Sequence, residues 1–231
     1  MPELSEYSSA MESTLKNADL KSISINLAES LVDNLIEDGF AKEIPIIGTL
    51  LGVGKVFTGL REQLFLKKII FFMSELADVP ADKRFEMITS IDESDTYRTK
   101  VGEKLLYIID TCEDHEKAQL IAAMFRAFIE EDLNYDEFLK SAQIIDNIIL
   151  SDLIWLVNSK EERFGLEDAQ IFLNTGLLII EPLEISVQDQ WDHKRRHEKY
   201  LVEGGEITAF ISELGKKIRQ VLRSRNHLTR I

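Results

Sequence analysis

The sequence has one cysteine, Cys112, and only four prolines, Pro2, Pro45, Pro80 and Pro182, in 231 residues. A single thiol closes no intramolecular disulfide, which removes the small disulfide-stapled scaffolds and leaves a reducing cytosol as the expected compartment. Scarce proline leaves long stretches free to be helical. Cations are in deficit: 27 Lys and Arg face 41 Asp and Glu, for a net charge of -14. Such a surface repels nucleic acid and anionic headgroups over most of its area, so a partner of that kind needs a local basic patch. The start, Met1-Pro2-Glu3-Leu4-Ser5-Glu6, lacks the basic-then-apolar order of a secretory leader. A chain that is 45% hydrophobic and 29% charged excludes a disordered tail and a collagen-like fibre, and its length fits one or two domains.

From about Ser22 to about Lys160 apolar residues recur at helical spacing. Leu27, Leu31, Leu35 and Ile36 line one helix that Gly39 can end. Pro45 suits a first helical turn, and a helix with a Gly-rich start is expected to run on through Phe71 and Phe72, broken near Gly59. Asp78 and Pro80 mark another start. Leu105, Leu106, Ile109 and Cys112 form a stripe that resumes after Asp114 as Leu120, Ile121, Met124, Phe125 and Phe128, predicting two antiparallel helices. Asn134 with Glu137 three residues on reads as a capping pair, opening a helix whose Phe138, Ile145, Ile148, Ile149 and Leu156 face the bundle.

The period changes after Phe164. A short helix over Leu166 to Thr175, ended by Gly176, precedes a β-like run Leu177 to Ile180 and an alternating stretch Leu183 to Val187. Tyr200 to Val202 and Ile207 to Ile211 are expected to pair around Gly204-Gly205, and Ser212 to cap a last helix bearing Leu214, Ile218, Val221 and Leu222. Helix, strands and closing helix is the order of a winged-helix module, which Ile207 to Leu222 resembles. The expected fold is therefore mainly α: a helical bundle over residues 1–162 followed by a small α+β, winged-helix-like domain over 163–231. Charge divides the chain similarly. Residues 191–231 hold ten Lys and Arg against five Asp and Glu, a balance of +5, which leaves -19 for residues 1–190.

The segment Ile44 to Leu60 holds Gly48, Gly52, Gly54 and Gly59, four of eleven glycines, and one charge, Lys55. Each interior glycine costs a helix about 0.5–1 kcal/mol relative to alanine, so the cluster needs a reason. Gly48-x-x-x-Gly52 is a small-x-x-x-small pattern that lets helices pack closely. At 17 residues, Lys55 included, the run falls short of the roughly 20 apolar residues of a constitutive span. Two readings remain: a buried bundle helix, or an apolar segment sheltered in a soluble form and released to insert or oligomerise. In the second, Gly48, Gly52 and Gly54 permit close packing, while Ile46, Ile47, Leu50, Leu51 and Phe57 supply apolar surface. A phosphate loop fails on spacing, with five residues between Gly48 and Gly54 and Val56 in place of a hydroxyl.

Other constellations carry little chemistry. A calcium loop ending at Glu137 would put Phe128 at its third position and Glu131 where the turn needs glycine, so calcium is rejected. His193 and His197 sit four apart, but the flanking Lys194, Arg195, Arg196 and Lys199 oppose a bound cation. Those four cations remain a possible contact for a partner or nucleic acid. The candidate recognition helix contains Glu167 and Asp168 and no Lys or Arg, which makes DNA reading the rival and a protein-binding wing the expectation. The residues point to no catalytic set, metal or cofactor, and no enzyme is expected.

Asp38-Gly39-Phe40-Ala41-Lys42-Glu43-Ile44-Pro45-Ile46-Ile47-Gly48, continuing to Arg61 and Phe65-Leu66-Lys67-Lys68-Ile69, together with Leu214 to Lys217, resembles a sparsely characterised family of small bacterial proteins, some linked to prophage and anti-phage settings. The resemblance implies an abortive-infection effector, cytoplasmic while dormant. On that reading a phage-encoded protein triggers it, copies of the chain assemble as a homo-oligomer, and the inner membrane is permeabilised.

Overall fold

The computed structural model describes residues 4–21, 23, 44–52, 59–183, 185–189 and 200–224. The chain is mainly helical, with a small α+β region towards the C-terminus. It divides into two compact units, Met1–Val157 with Lys217–Ile231, and Asn158–Lys216. The second unit is thus shorter than the expected 163–231 module, because the later turns of the closing helix group with the helical unit.

In the first unit the described helices are α1 (Leu4–Asn17), α2 (Pro45–Leu51), α3 (Leu60–Glu75), α4 (Ala81–Asp92), α5 (Val101–Thr111), α6 (His115–Ile129), α7 (Tyr135–Asn147) and α8 (Leu150–Asn158). The centre is α6, buried on every side over nearly all of Lys117 to Ile129. Around it Phe125 meets Phe72, Phe128 and Phe138 at ring-centroid separations of 5.9, 5.8 and 5.2 Å, a tilted aromatic cluster worth more than its area alone. The two stripes expected to pair with each other instead find different partners: α6 packs on α3 and α7, and α5 on α1 and α3. A helix apolar all round belongs in the middle, so α6 draws several neighbours rather than one.

The expected capping pair is present. Asn134 Oδ1 accepts from Glu137 N at 2.9 Å while Glu137 Oε2 accepts from Asn134 N at 2.9 Å. Lys217 Nζ donates to the same Glu137 carboxylate at 2.7 Å, and that ammonium, with the Asn134 amide, holds the carboxyl below its ordinary range. Ile149 departs from expectation: it is 66% exposed, because the chain leaves α7 at Ile148 and the next helix turns that residue outward.

Helix ends are closed in an unusual way. The residues that follow α3 to α7 are Leu76, Glu93, Cys112, Glu130 and Ile148, none a glycine; α6 closes through Glu131, which takes the left-handed conformation at φ 69° while Asp132 N donates back to Ala127 O at 2.9 Å, and other ends are closed differently. Cations from other helices donate into the terminal carbonyls instead. Arg84 of α4 reaches the end of α1, donating to Thr14 O at 3.3 Å, Leu15 O at 2.8 Å and Ala18 O at 2.7 Å, and to Val79 O at 3.2 Å. Lys68 of α3 donates to Asp110 O at 3.1 Å and to Cys112 O, closing α5. Lys117 and Arg126 of α6 close α7 and α3 through Asp146 O at 2.8 Å and Glu75 O at 3.2 Å. A helix C-terminus carries about half a negative charge and up to four unbonded carbonyls, so each cation meets both needs at once.

One close helix crossing does rest on glycine, though not in the Gly-rich segment. A Cβ on Gly102 of α5 would lie 3.0 Å from Ser8 O and 3.1 Å from Glu12 N of α1. Helix α1 itself lies outside the stretch whose spacing announces helices, and its buried face, Ser8, Ala10, Met11, Thr14 and Leu15, is too polar to read as an apolar stripe.

The second unit holds β1 (Arg163–Gly165), α9 (Leu166–Leu173), β2 (Leu178–Ile180), β3 (Ile185–Asp189), β4 (Tyr200–Gly204), β5 (Thr208–Ile211) and the start of α10 (Glu213–Ser224). β5 is the middle of an antiparallel sheet of order β1-β5-β2. β3 and β4 form a separate antiparallel ribbon. The expected pairing of residues 200–202 with 207–211 is therefore replaced. Gly204 and Gly205, with φ of 94° and 93°, take the left-handed conformation that lets the chain pass from one sheet to the other instead of folding back as a hairpin. Ser212 caps α10 as expected, its Oγ accepting from Gly215 N at 3.0 Å and donating to Gly176 O at 2.7 Å. Phe164, Phe172, Leu178, Ala209 and Ile211 form the small core.

Replacing Arg84, 2% exposed, by methionine keeps the volume and strands the α1 carbonyls. Urea unfolding should show a loss of about 3 kcal/mol, the cost of leaving two or more buried carbonyls unbonded. A loss below about 0.5 kcal/mol would show that these carbonyls find water instead.

Candidate functional site

The Gly-rich segment begins as helix α2. Pro45 occupies its first turn, as expected, and Ile44, which precedes it, offers no side chain to the free amides. The missing cap comes from another helix. Thr14 of α1, fully buried, accepts from Ile46 N at 2.9 Å through its hydroxyl and donates to Ala10 O at 2.8 Å. One hydroxyl thus ties the start of α2 to the inside of α1.

Beneath that tie, Ile44, Ile46, Ile47 and Leu50 are buried, with Met11 and Leu15 of α1 in the same core. The residues expected to offer apolar surface are core residues in this state, while Gly48, Leu51 and Gly52 are half-buried. The helix also stops sooner than the spacing predicts. α2 ends at Leu51, where Gly52 turns extended and donates to Thr49 O at 3.3 Å, and the next described helix starts after Gly59. A Cβ on Gly52 would meet Thr49 O of the same helix at 3.0 Å, so this glycine serves the helix end rather than a crossing. Gly54 and Phe57 lie outside the described residues. No described helix is long and apolar enough to cross a membrane.

Around this site α1 is held from several directions. Lys16 Nζ donates to Asp92 Oδ2 at 3.0 Å and to Glu12 Oε1 at 2.7 Å, while Asp92 Oδ1 accepts from Val101 N at 2.8 Å, linking α1, α4 and α5. Neither Thr14 nor Arg84 stood out in the sequence. A threonine in a helix and an arginine in an amphipathic one are ordinary until a partner 32 or 70 residues away is known.

Clefts among the described residues lie elsewhere. One of about 160 Å³ in the first unit is lined by Arg61, Lys67 and Lys68 against Asp110, Glu113 and Asp114, with His115 set edge-on to Phe71 at 4.5 Å. Its charges alternate, and Lys68 is committed to carbonyls. Another, about 310 Å³, lies in the second unit beside Arg163, whose guanidinium donates to Glu181 at 2.8 Å. Among the described residues no three His, Cys, Asp or Glu converge to hold a metal. Cys112 is buried, and loss of solvent pushes its thiol up to about 11, the reverse of an activated nucleophile. The cations Lys194, Arg195, Arg196 and Lys199, with His193 and His197, lie outside the described residues. Glu167 and Asp168 sit exposed in the first turn of α9.

The chain matches no protein family, no curated protein and no solved structure.

Thr14→Val keeps the shape and removes the cap. It should destabilise the fold by about 1–2 kcal/mol and speed hydrogen exchange at Ile46 and Ile47 more than in α6; equal protection in both variants would show that α2 is held by burial alone. Cys112 should resist iodoacetamide at pH 8 in the folded protein and react at the rate of an ordinary thiol once unfolded in urea. Fast labelling of the native chain would contradict its burial.

Proposed function

We propose that this protein is a dormant effector of abortive-infection type anti-phage defence, a non-enzymatic protein that a phage component opens, after which copies assemble and permeabilise the membrane. The observation that carries the reading is the sheltered state of α2. A short, Gly-bearing apolar helix is buried under α1 and tied there by one hydroxyl, an arrangement suited to being undone. The resemblance of residues 38–48, Arg61, residues 65–69 and residues 214–217 to a family with anti-phage links adds to it. Seven residues reach about 10 Å along a helix, a third of the hydrocarbon core, so permeabilisation on this reading requires α2 to refold with the chain that follows it.

A second reading concerns the smaller unit. A helix between β1 and β2, the sheet order β1-β5-β2 and a ribbon placed between β2 and β5 support a winged-helix-like module that binds protein. The acidic first turn of α9 weighs against groove binding to DNA, since it would face phosphates.

The test is a phage-panel challenge of bacteria expressing the chain at low level, scoring plaques and propidium entry together. Protection with early dye entry is expected. Thr14→Val should let dye enter without phage, and Gly48→Leu should abolish protection. Protection without dye entry removes permeabilisation from the proposal, and no protection across a broad panel removes defence. DNA binding that weakens steeply with salt would favour a nucleic-acid regulator instead.

A further inference from the structure

What holds α1 belongs to other helices. Its buried face, Ser8, Ala10, Met11, Thr14 and Leu15, packs chiefly against α2, α4 and α5, and Leu20 and Ile23 just beyond its end are buried as well. The directed contacts come from the same three helices. Ile46 N donates to Thr14 Oγ1 at 2.9 Å, Asp92 Oδ2 accepts from Lys16 Nζ at 3.0 Å, and Arg84 donates to Leu15 O and Ala18 O at 2.8 and 2.7 Å. Gly102 of α5 leaves free the space that Ser8 and Glu12 backbone atoms approach. Residues 4–23 and the seat formed by residues 45–51, 81–92 and 101–111 are thus two matching halves.

An empty seat is costly. It leaves the Arg84 guanidinium, 2% exposed, and the Asp92 carboxyl, 4% exposed, without the partners that make their burial tolerable. The seat therefore selects strongly for one occupant, and nothing in the fit requires occupant and seat to share a chain. A second copy carries the same segment and makes the same bonds. Residues 24–43 follow that segment in sequence, and a chain of that length spans at most about 70 Å, enough to reach a neighbouring molecule. The tethered helix competes at an effective concentration on the order of 1 mM, so exchange between wild-type copies is a minority state in dilute solution and grows where copies are concentrated.

We infer that α1 is an exchangeable element and that its seat on α2, α4 and α5 binds the α1 segment of a second copy, closing a reciprocal dimer. In that dimer Thr14 of one copy caps α2 of the other, so α2 stays covered while the copies become linked. The exchange deepens the defence reading by naming a contact through which copies assemble, and rests on that reading for its purpose. It is measured on purified protein without phage or membrane, so failure of the exchange and failure of the defence reading are separate results.

Two full-length variants test it. Lys16→Glu sets a carboxylate against Asp92. Asp92→Asn keeps an acceptor for Val101 N and turns an amide donor towards Lys16, so each variant misfits within its own chain. Reciprocal exchange between the two pairs the new carboxylate with the new amide in one seat and Lys16 with Asp92 in the other. Each relieved misfit should favour exchange about tenfold and the two together about a hundredfold, which brings the dimer Kd from on the order of 1 mM to about 10 µM. In sedimentation velocity at about 100 µM the equilibrated mixture should be largely dimeric, and each variant alone largely monomeric. The double variant, Lys16→Glu with Asp92→Asn, restores a pair within one chain; it should keep the wild-type circular dichroism spectrum and stay monomeric, alone or with either single variant. A fluorescein-labelled peptide of residues 4–23 should bind the Lys16→Glu protein at least about tenfold more tightly than the wild type, whose own helix competes better. A mixture no more dimeric than its components overturns the proposal. So does a peptide that binds both proteins alike, or a double variant that dimerises as the mixture does.

Discussion

The helical unit depends on cations placed against the ends of helices that are not their own. Arg84, Lys68, Lys117 and Arg126 each leave the helix that carries them and donate into the last carbonyls of a neighbour. Such a contact acts in two ways. It satisfies groups that the helix cannot bond internally, and it sets the angle and depth at which one helix meets the next, because the donor reaches only so far. The aromatic cluster around Phe125 sits in the middle of the buried core, yet apolar contact is tolerant of sliding. The directed bonds are what give each helix pair a single register.

The same placement changes the meaning of the net charge. Arg84 and Lys117 are buried, and Arg126 and Lys16 are nearly so. The cations withdrawn from solvent leave the outside of the helical unit more acidic than the count suggests. Like-charged surface of this kind raises the cost of bringing a second acidic surface close.

Local signals in the sequence transferred well where the physics is local. The Asn134–Glu137 box, the Ser212 cap and the Pro45 start each need only three or four residues, and all three are present. The stripes of α5 and α6 located the core residues, since burial is written in spacing. Their partners were not legible, because a stripe says that a face is covered and not by what. β5 illustrates the same limit: Thr208 to Ile211 reads as a strand, while its position between β1 and β2 depends on pairings with residues 163–165 and 178–180, far back in the chain. For the candidate site, the apolar segment and its glycines were plain from composition. The hydroxyl that tethers it was not, since Thr14 belongs to a helix whose buried face is half polar.

Helix α2 is seven residues long, well under the dozen or so that a helix needs to persist alone in water. Its first amide is satisfied from α1, and its buried side chains share the core that α1 covers. It is therefore a contingent element, helical only while another helix is present to complete it. In folding, α2 cannot serve as a seed and must form after, or together with, the docking of α1. In the native protein the two should melt as one cooperative unit, so local unfolding at residues 4–17 and local unfolding at residues 45–51 are the same event seen from two places in the chain.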